Sequence, residues 1–145
     1  MNSRSALVAL AVSVMAVSSA FADQRLDFNK DMNEGAIFAL ASMLAASGAS
    51  ELNFVSAEAD LNGDGRMDVV AFAEVSYFCG SGGCSPTLLV ASKKGWNEIP
   101  FNGLSAPENW YLLDSSTNGF RKIAVLRDDN EEIYEWDGSA YVRAD

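Results

Sequence analysis

Residues 118–138 run Asn118-Gly119-Phe120-Arg121-Lys122-Ile123-Ala124-Val125-Leu126-Arg127-Asp128-Asp129-Asn130-Glu131-Glu132-Ile133-Tyr134-Glu135-Trp136-Asp137-Gly138. Asn118-Gly119 and Asp137-Gly138 are dipeptides that accept the positive φ angles of tight hairpin turns, and Asp128-Asp129-Asn130 is a third cluster of turn residues. The two segments they bound, 120–126 and 131–136, are too short for helices and carry the β-branched and aromatic residues of strands. The same punctuation recurs upstream at roughly ten-residue spacing, as in all-β meanders. It predicts further strands at 53–58, 67–78, 87–92, 96–99, 110–113 and 140–142.

Only the segment before residue 50 has helical periodicity. Asp31 is the expected N-cap, Glu34 lies in the first turn, and Ile37, Leu40, Ala41 and Leu44 recur at i, i+3, i+4 and i+7. Gly48 fits the C′ position that ends such a helix. The expected fold class is therefore α+β: mainly an antiparallel β meander, with one N-terminal helix packed on the sheet.

Residues 1–22 read as a cleavable signal peptide. Arg4 is the only charged side chain before Asp23, an apolar run follows from residue 6 to 17, and Ala20-Phe21-Ala22 supplies a small-x-small cleavage site. The run falls short of the ~20 apolar residues of a membrane span, and no second long apolar stretch follows. The expectation is a periplasmic or secreted protein whose residues 23–145 form a single mostly-β domain. Removing the signal leaves nine of the 10 Lys and Arg against 20 Asp and Glu, a formal charge of 9 − 20 = −11. A surface this acidic repels phosphate backbones and anionic membranes, which excludes nucleic acid as a natural partner and points to cations or a basic protein.

Asp60-Leu61-Asn62-Gly63-Asp64-Gly65-Arg66-Met67-Asp68 places side-chain oxygens at positions 1, 3, 5 and 9 and glycine at position 6. Hard oxygens at alternate positions around a sharp turn suit a cation of calcium's size, with the backbone carbonyl of Arg66 as the position-7 donor. The expected metal ligands are thus Asp60, Asn62, Asp64, Arg66 and Asp68. Position 12 is Ala71 rather than the bidentate Glu of a full calcium hand, so a weak, structural Ca²⁺ site of about 0.1–1 mM is expected. The competing reading is a metal-free Asx turn, in which the same side chains bond neighbouring amides. Zinc is disfavoured by the absence of any His.

This segment resembles the calcium loop of FG-GAP and VCBS-type repeats, on Asp60, Asn62, Asp64, Gly65 and Asp68. The likeness covers about nine residues, in a single copy. More broadly, this loop, the Cys79-Gly80-Ser81-Gly82-Gly83-Cys84 segment and the terminal Trp136-Asp137-Gly138 resemble small periplasmic bacterial proteins. That likeness implies export and brings no activity with it.

Cys79 and Cys84 close a glycine-rich loop, and in an oxidising compartment such a pair reads as a local disulfide worth about 2 kcal/mol by chain entropy. It either staples a hairpin or presents a rigid loop to a partner. Catalysis meets a composition problem: with no His, the commonest general base and triad member is missing. Glu74, Glu98, Glu108 and Asp114 are candidate acids, but none sits in a recognisable motif, and no enzyme activity is expected. Residues 128–132 form either a second cation patch or a solvated hairpin tip. Trp96, Trp110 and Trp136, with Tyr77, Tyr111, Tyr134 and Tyr141, either line a glycan-binding face or, as is commoner on a small sheet, fill the core. The function classes left open are a calcium-stabilised binding or interaction module, a secreted enzyme inhibitor or immunity protein using the Cys79–Cys84 loop, and a carbohydrate-binding module.

Overall fold

A computed structural model describes residues 23–45, 53–73 and 78–145. The expected signal peptide, Gly48, Glu74 and Tyr77 lie outside these residues. In chain order the elements are β1 (Gln24–Leu26), α1 (Glu34–Ala45), β2 (Phe54–Ala59), β3 (Asp68–Ala73), β4 (Cys79–Gly80), β5 (Gly83–Cys84), β6 (Pro86–Ser92), β7 (Gly95–Ile99), β8 (Trp110–Thr117), β9 (Phe120–Arg127), β10 (Asn130–Trp136) and β11 (Tyr141–Arg143).

The strands form two main antiparallel sheets, β2-β3-β6-β7 and β1-β8-β9-β10-β11, with β4 and β5 as a separate small hairpin. The α+β expectation of one meander is corrected by this arrangement: the fold is β-rich, its strands divide between sheets, and the one helix among the described residues is twelve residues long. Period-two alternation reports that a segment is a strand and says nothing about which sheet it joins. Here residues 100–109 carry the chain out of the first sheet, and β1, from upstream of the helix, adds to the edge of the second through pairs such as Leu26↔Trp110.

Side-chain alternation on β3 shows how the layers stack. Val70 and Phe72 join Trp110, Leu112, Ile123, Val125 and Tyr141 in the core between the sheets, while Val69 and Ala71 pack with Leu89 against Ala36 and Leu40 of α1. All six β3 residues are buried, since sheets lie on one face and the helix on the other. The helix is rotated by about one position from its expected phase. Ala36, Ala39, Leu40 and Met43 face the sheet, whereas Ile37 is 47% and Phe38 76% exposed. Its cap is Asn33, whose Oδ1 accepts the N–H groups of Gly35 and Ala36 at 2.9 and 3.4 Å; Asp31 instead donates its own N–H to Asn29 Oδ1.

The turns follow the residues expected to make them. Asn118-Gly119 and Asp128-Asp129 have positive φ at both positions and join paired strands as two-residue hairpins. Asp128 to Glu131 are exposed at the β9–β10 turn, and Glu132 is half-buried. Strand β8 runs to Thr117, four residues past its expected end, and departs from regular register between Leu112 and Ser116. The buried Arg121 side chain fills that irregularity, donating from Nε to Leu113 O at 2.7 Å and from Nη2 to Leu112 O at 3.2 Å.

A tethered acidic loop between strands β2 and β3

Ala59 and Asp68 are the last paired residues of the β2–β3 hairpin, so the expected metal loop lies between two strands, as its flanks suggested. Gly63 and Gly65 have φ of +73° and +83° with open space around them; the left-handed backbone, not crowding, is what calls for glycine. Asp60 organises the turn. Its Oδ1 accepts Gly63 N–H at 2.8 Å and Asp64 N–H at 3.2 Å, and its Oδ2 accepts Gly65 N–H at 2.8 Å. Asn62 Oδ1 accepts Asp64 N–H at 3.2 Å. Asp64 turns outward, taking Arg66 N–H at 2.8 Å and Arg66 Nη1 at 3.3 Å, and the first of these bonds holds its carboxyl below the usual carboxylate range.

Two residues anchor this turn to the body of the protein. Leu61 is fully buried in the core between the sheets, and its carbonyl accepts Arg121 N–H at 2.7 Å. Asp68 is also fully buried; its Oδ2 accepts Leu61 N–H at 2.8 Å and its Oδ1 accepts Ala91 N–H, on β6, at 2.9 Å. Burial pushes the Asp68 carboxyl up to about 6, the two amide bonds oppose that shift, and the charges of Asp64 and Asp60 add to it. Beyond it, Tyr141 is buried and donates to Arg121 O at 2.8 Å, and burial and the Asp68 charge raise its phenol well above the ordinary range.

The expected ligands are therefore adjacent but divided in aim. Asp60 and Asn62 face into the turn, Asp64 faces Arg66 and Asp68 faces the interior. Among the described residues no group of three or more His, Cys, Asp or Glu side chains converges on a metal position. The amide bonds are those of an Asx turn. The donor chemistry is nonetheless that of a hard cation, and each carboxylate oxygen retains acceptor capacity beyond the amides it already holds. Sequence spacing located this loop but missed Leu61, Ala91, Arg121 and Tyr141, which meet it only through tertiary packing. Leu61, an apolar residue early in a mostly polar turn, is the local sign of an anchor; Met67, equally apolar, is 51% exposed.

The other expected residues are placed as follows. Cys79 and Cys84 form a disulfide across the β4–β5 pair, leaving Gly80, Ser81 and Gly82 exposed. Cys84 and Ser105 exchange both backbone hydrogen bonds, and Arg127 donates to the carbonyls of Gly82 and Leu104, so the hairpin is docked rather than free. Trp110, Tyr134 and Tyr141 are core residues, Tyr111 is half-buried on β8, Trp96 packs under the helix, and Trp136 stacks on Phe120. Glu98, Glu108 and Asp114 are exposed on separate elements. Among the described residues no helix is long and apolar enough to cross a membrane. No protein-family model, curated protein or solved structure matches the chain.

Proposed function

We propose that the protein is an exported interaction module, stabilised by calcium at the 60–68 loop, that acts through a partner of opposite charge rather than through catalysis. The observation that carries this reading is the buried Asp68 carboxylate at the foot of a turn whose exposed rim holds further oxygen donors. The charges of Asp60 and Asp64 raise the electrostatic energy of the Asp68 carboxylate across this turn. A cation at the rim, held by Asp60, Asn62, Asp64 and the Arg66 carbonyl with the Asp68 charge beneath it, offsets that repulsion. Binding requires Asp64 to release Arg66, an exposed pair of the kind worth less than about 1 kcal/mol. Calcium accepts irregular spheres completed by water, which suits a loop with few committed ligands.

Export is supported by the pattern of residues 1–22 and by the disulfide, a bond favoured in oxidising compartments. The formal charge of −10 for the whole chain favours a cationic partner, and the stapled, docked β4–β5 hairpin is a rigid element to present to one. The test is a calcium titration of the purified protein in which thermal unfolding is followed at each concentration, beside an Asp60→Ala, Asp64→Ala double variant. Calcium up to several mM, the weak end for extracellular sites, raises the midpoint of the parent and leaves that of the variant unmoved. Equal responses from both, or none from either, would reduce the loop to a turn.

A further inference from the structure

A cleft of about 400 Å³ lies between the N-terminal segment and the outer edge of β2, within the volume range of small-ligand sites. Its floor is closed by Asn29 and Ser56, which exchange backbone hydrogen bonds of 3.0 and 2.8 Å. Ser56 lines this cleft; the residue is 1% exposed, and its buried Oγ has no hydrogen-bond partner. Buried hydroxyls are rarely left this way, because an unmade bond costs about 1–3 kcal/mol. Residues two apart on a strand share a face, so Ser56 and Glu58 project together, and Glu58 also lines the cleft.

The remaining lining defines what fits. Arg25 is paired with Asp27 at 3.6 Å; Asp31 and Glu58 form no ion pair among the described residues, although Lys30 lies beside both. Met67, 51% exposed, provides an apolar flank. These carboxylates do not converge closely enough to share a metal ion. The site therefore suits a cation whose charge is spread over several N–H donors and whose stem is aliphatic. A guanidinium, with five donors in a plane, can reach acceptors on different elements at once, and its alkyl stem packs on apolar side chains.

We propose that this cleft binds an alkylguanidinium group, its nitrogens on Asp31, Glu58 and the Ser56 hydroxyl and its stem along Met67. The group comes either from a free amine or from an arginine of a partner protein. The inference uses no residue of the 60–68 donor set and does not depend on calcium.

The experiment is an amide NMR titration of the purified protein, run with calcium and again with chelator. The probes are agmatine, an arginine-containing pentapeptide, and tetramethylammonium as a cation without N–H donors. Agmatine is expected to shift the amides of Asn29, Ser56 and Glu58 saturably in both conditions. Loss of one charge-assisted contact in Glu58→Gln or Asp31→Asn weakens it about tenfold, and Ser56→Ala weakens it severalfold with an unchanged spectrum elsewhere. A peptide that binds more tightly than agmatine assigns the group to a partner's arginine; the reverse assigns it to a free amine. Equal shifts with tetramethylammonium, unaltered binding in the carboxylate variants, or no saturable shift below about 10 mM would overturn the proposal.

Discussion

Asp68 carries its carboxylate where solvent does not reach it, between Leu61 N–H and Ala91 N–H. Its carboxyl is raised from 3.8 to about 6, so between those pH values the folded protein holds a proton there that the unfolded chain has already released. The resulting stability is fully present below about pH 4 and is lost as the pH rises through about 6, a change on the order of 3 kcal/mol. Asp64 and Asp137 have the opposite sign, since backbone N–H groups lower both; their contribution is present above the ordinary carboxylate range and disappears in acid. Urea unfolding in chelator should therefore show lower stability at pH 7.5 than at pH 5. Asp68→Asn should flatten that difference while lowering stability at pH 5 by about 1–3 kcal/mol, because an amide accepts only one of the two N–H groups.

At the scale of elements, the β4–β5 hairpin depends on one glycine. Gly83 has φ of +115°, and a Cβ there would lie 2.7 Å from Ser105 O and 3.0 Å from Ser105 N, both backbone atoms. Gly83→Ala should undock the hairpin, cost about 1–3 kcal/mol and speed hydrogen exchange at Cys84 and Ser105 with the disulfide intact. Gly80→Ala, which meets open space, should do neither. The contrast is invisible in Gly80-Ser81-Gly82-Gly83, because the Ser105 backbone arrives from 22 residues beyond Gly83. What was legible obeyed local rules: Asn118-Gly119 and Asp128-Asp129 turn because of the backbone they tolerate, and 60–68 curls around Asp60. Beyond the division of strands between sheets and the loop's tertiary anchors, three more features were not legible, each for a different reason. The last residues of β8, Asp114 to Thr117, are polar and mostly exposed, and so carry no alternation. The helix phase is hidden because Ile37 is conspicuous and Ala36, which packs on the sheet, is not. Ser56 and Asp31 have no sequence relation that would bring them to one cleft.

For the whole molecule, the β2-β3-β6-β7 sheet is the middle layer, covered on one side by α1 and on the other by the five-stranded sheet. The helix thus belongs to the second, smaller core, and its contribution rests on few side chains. Leu40→Ala should destabilise by about 2–5 kcal/mol, whereas Phe38→Ala, on the outer face, should stay within about 0.5 kcal/mol by the same chemical denaturation. The pairing of β1 with β8 joins Leu26 to Trp110 across most of the chain. Synthesis proceeds from the N-terminus, so the first strand made must wait for the eighth before it has a partner. Contacts of such long sequence separation form late, because loop closure must precede them. Until they form, β1 lacks the strand it pairs with, and the five-stranded sheet ends at β8.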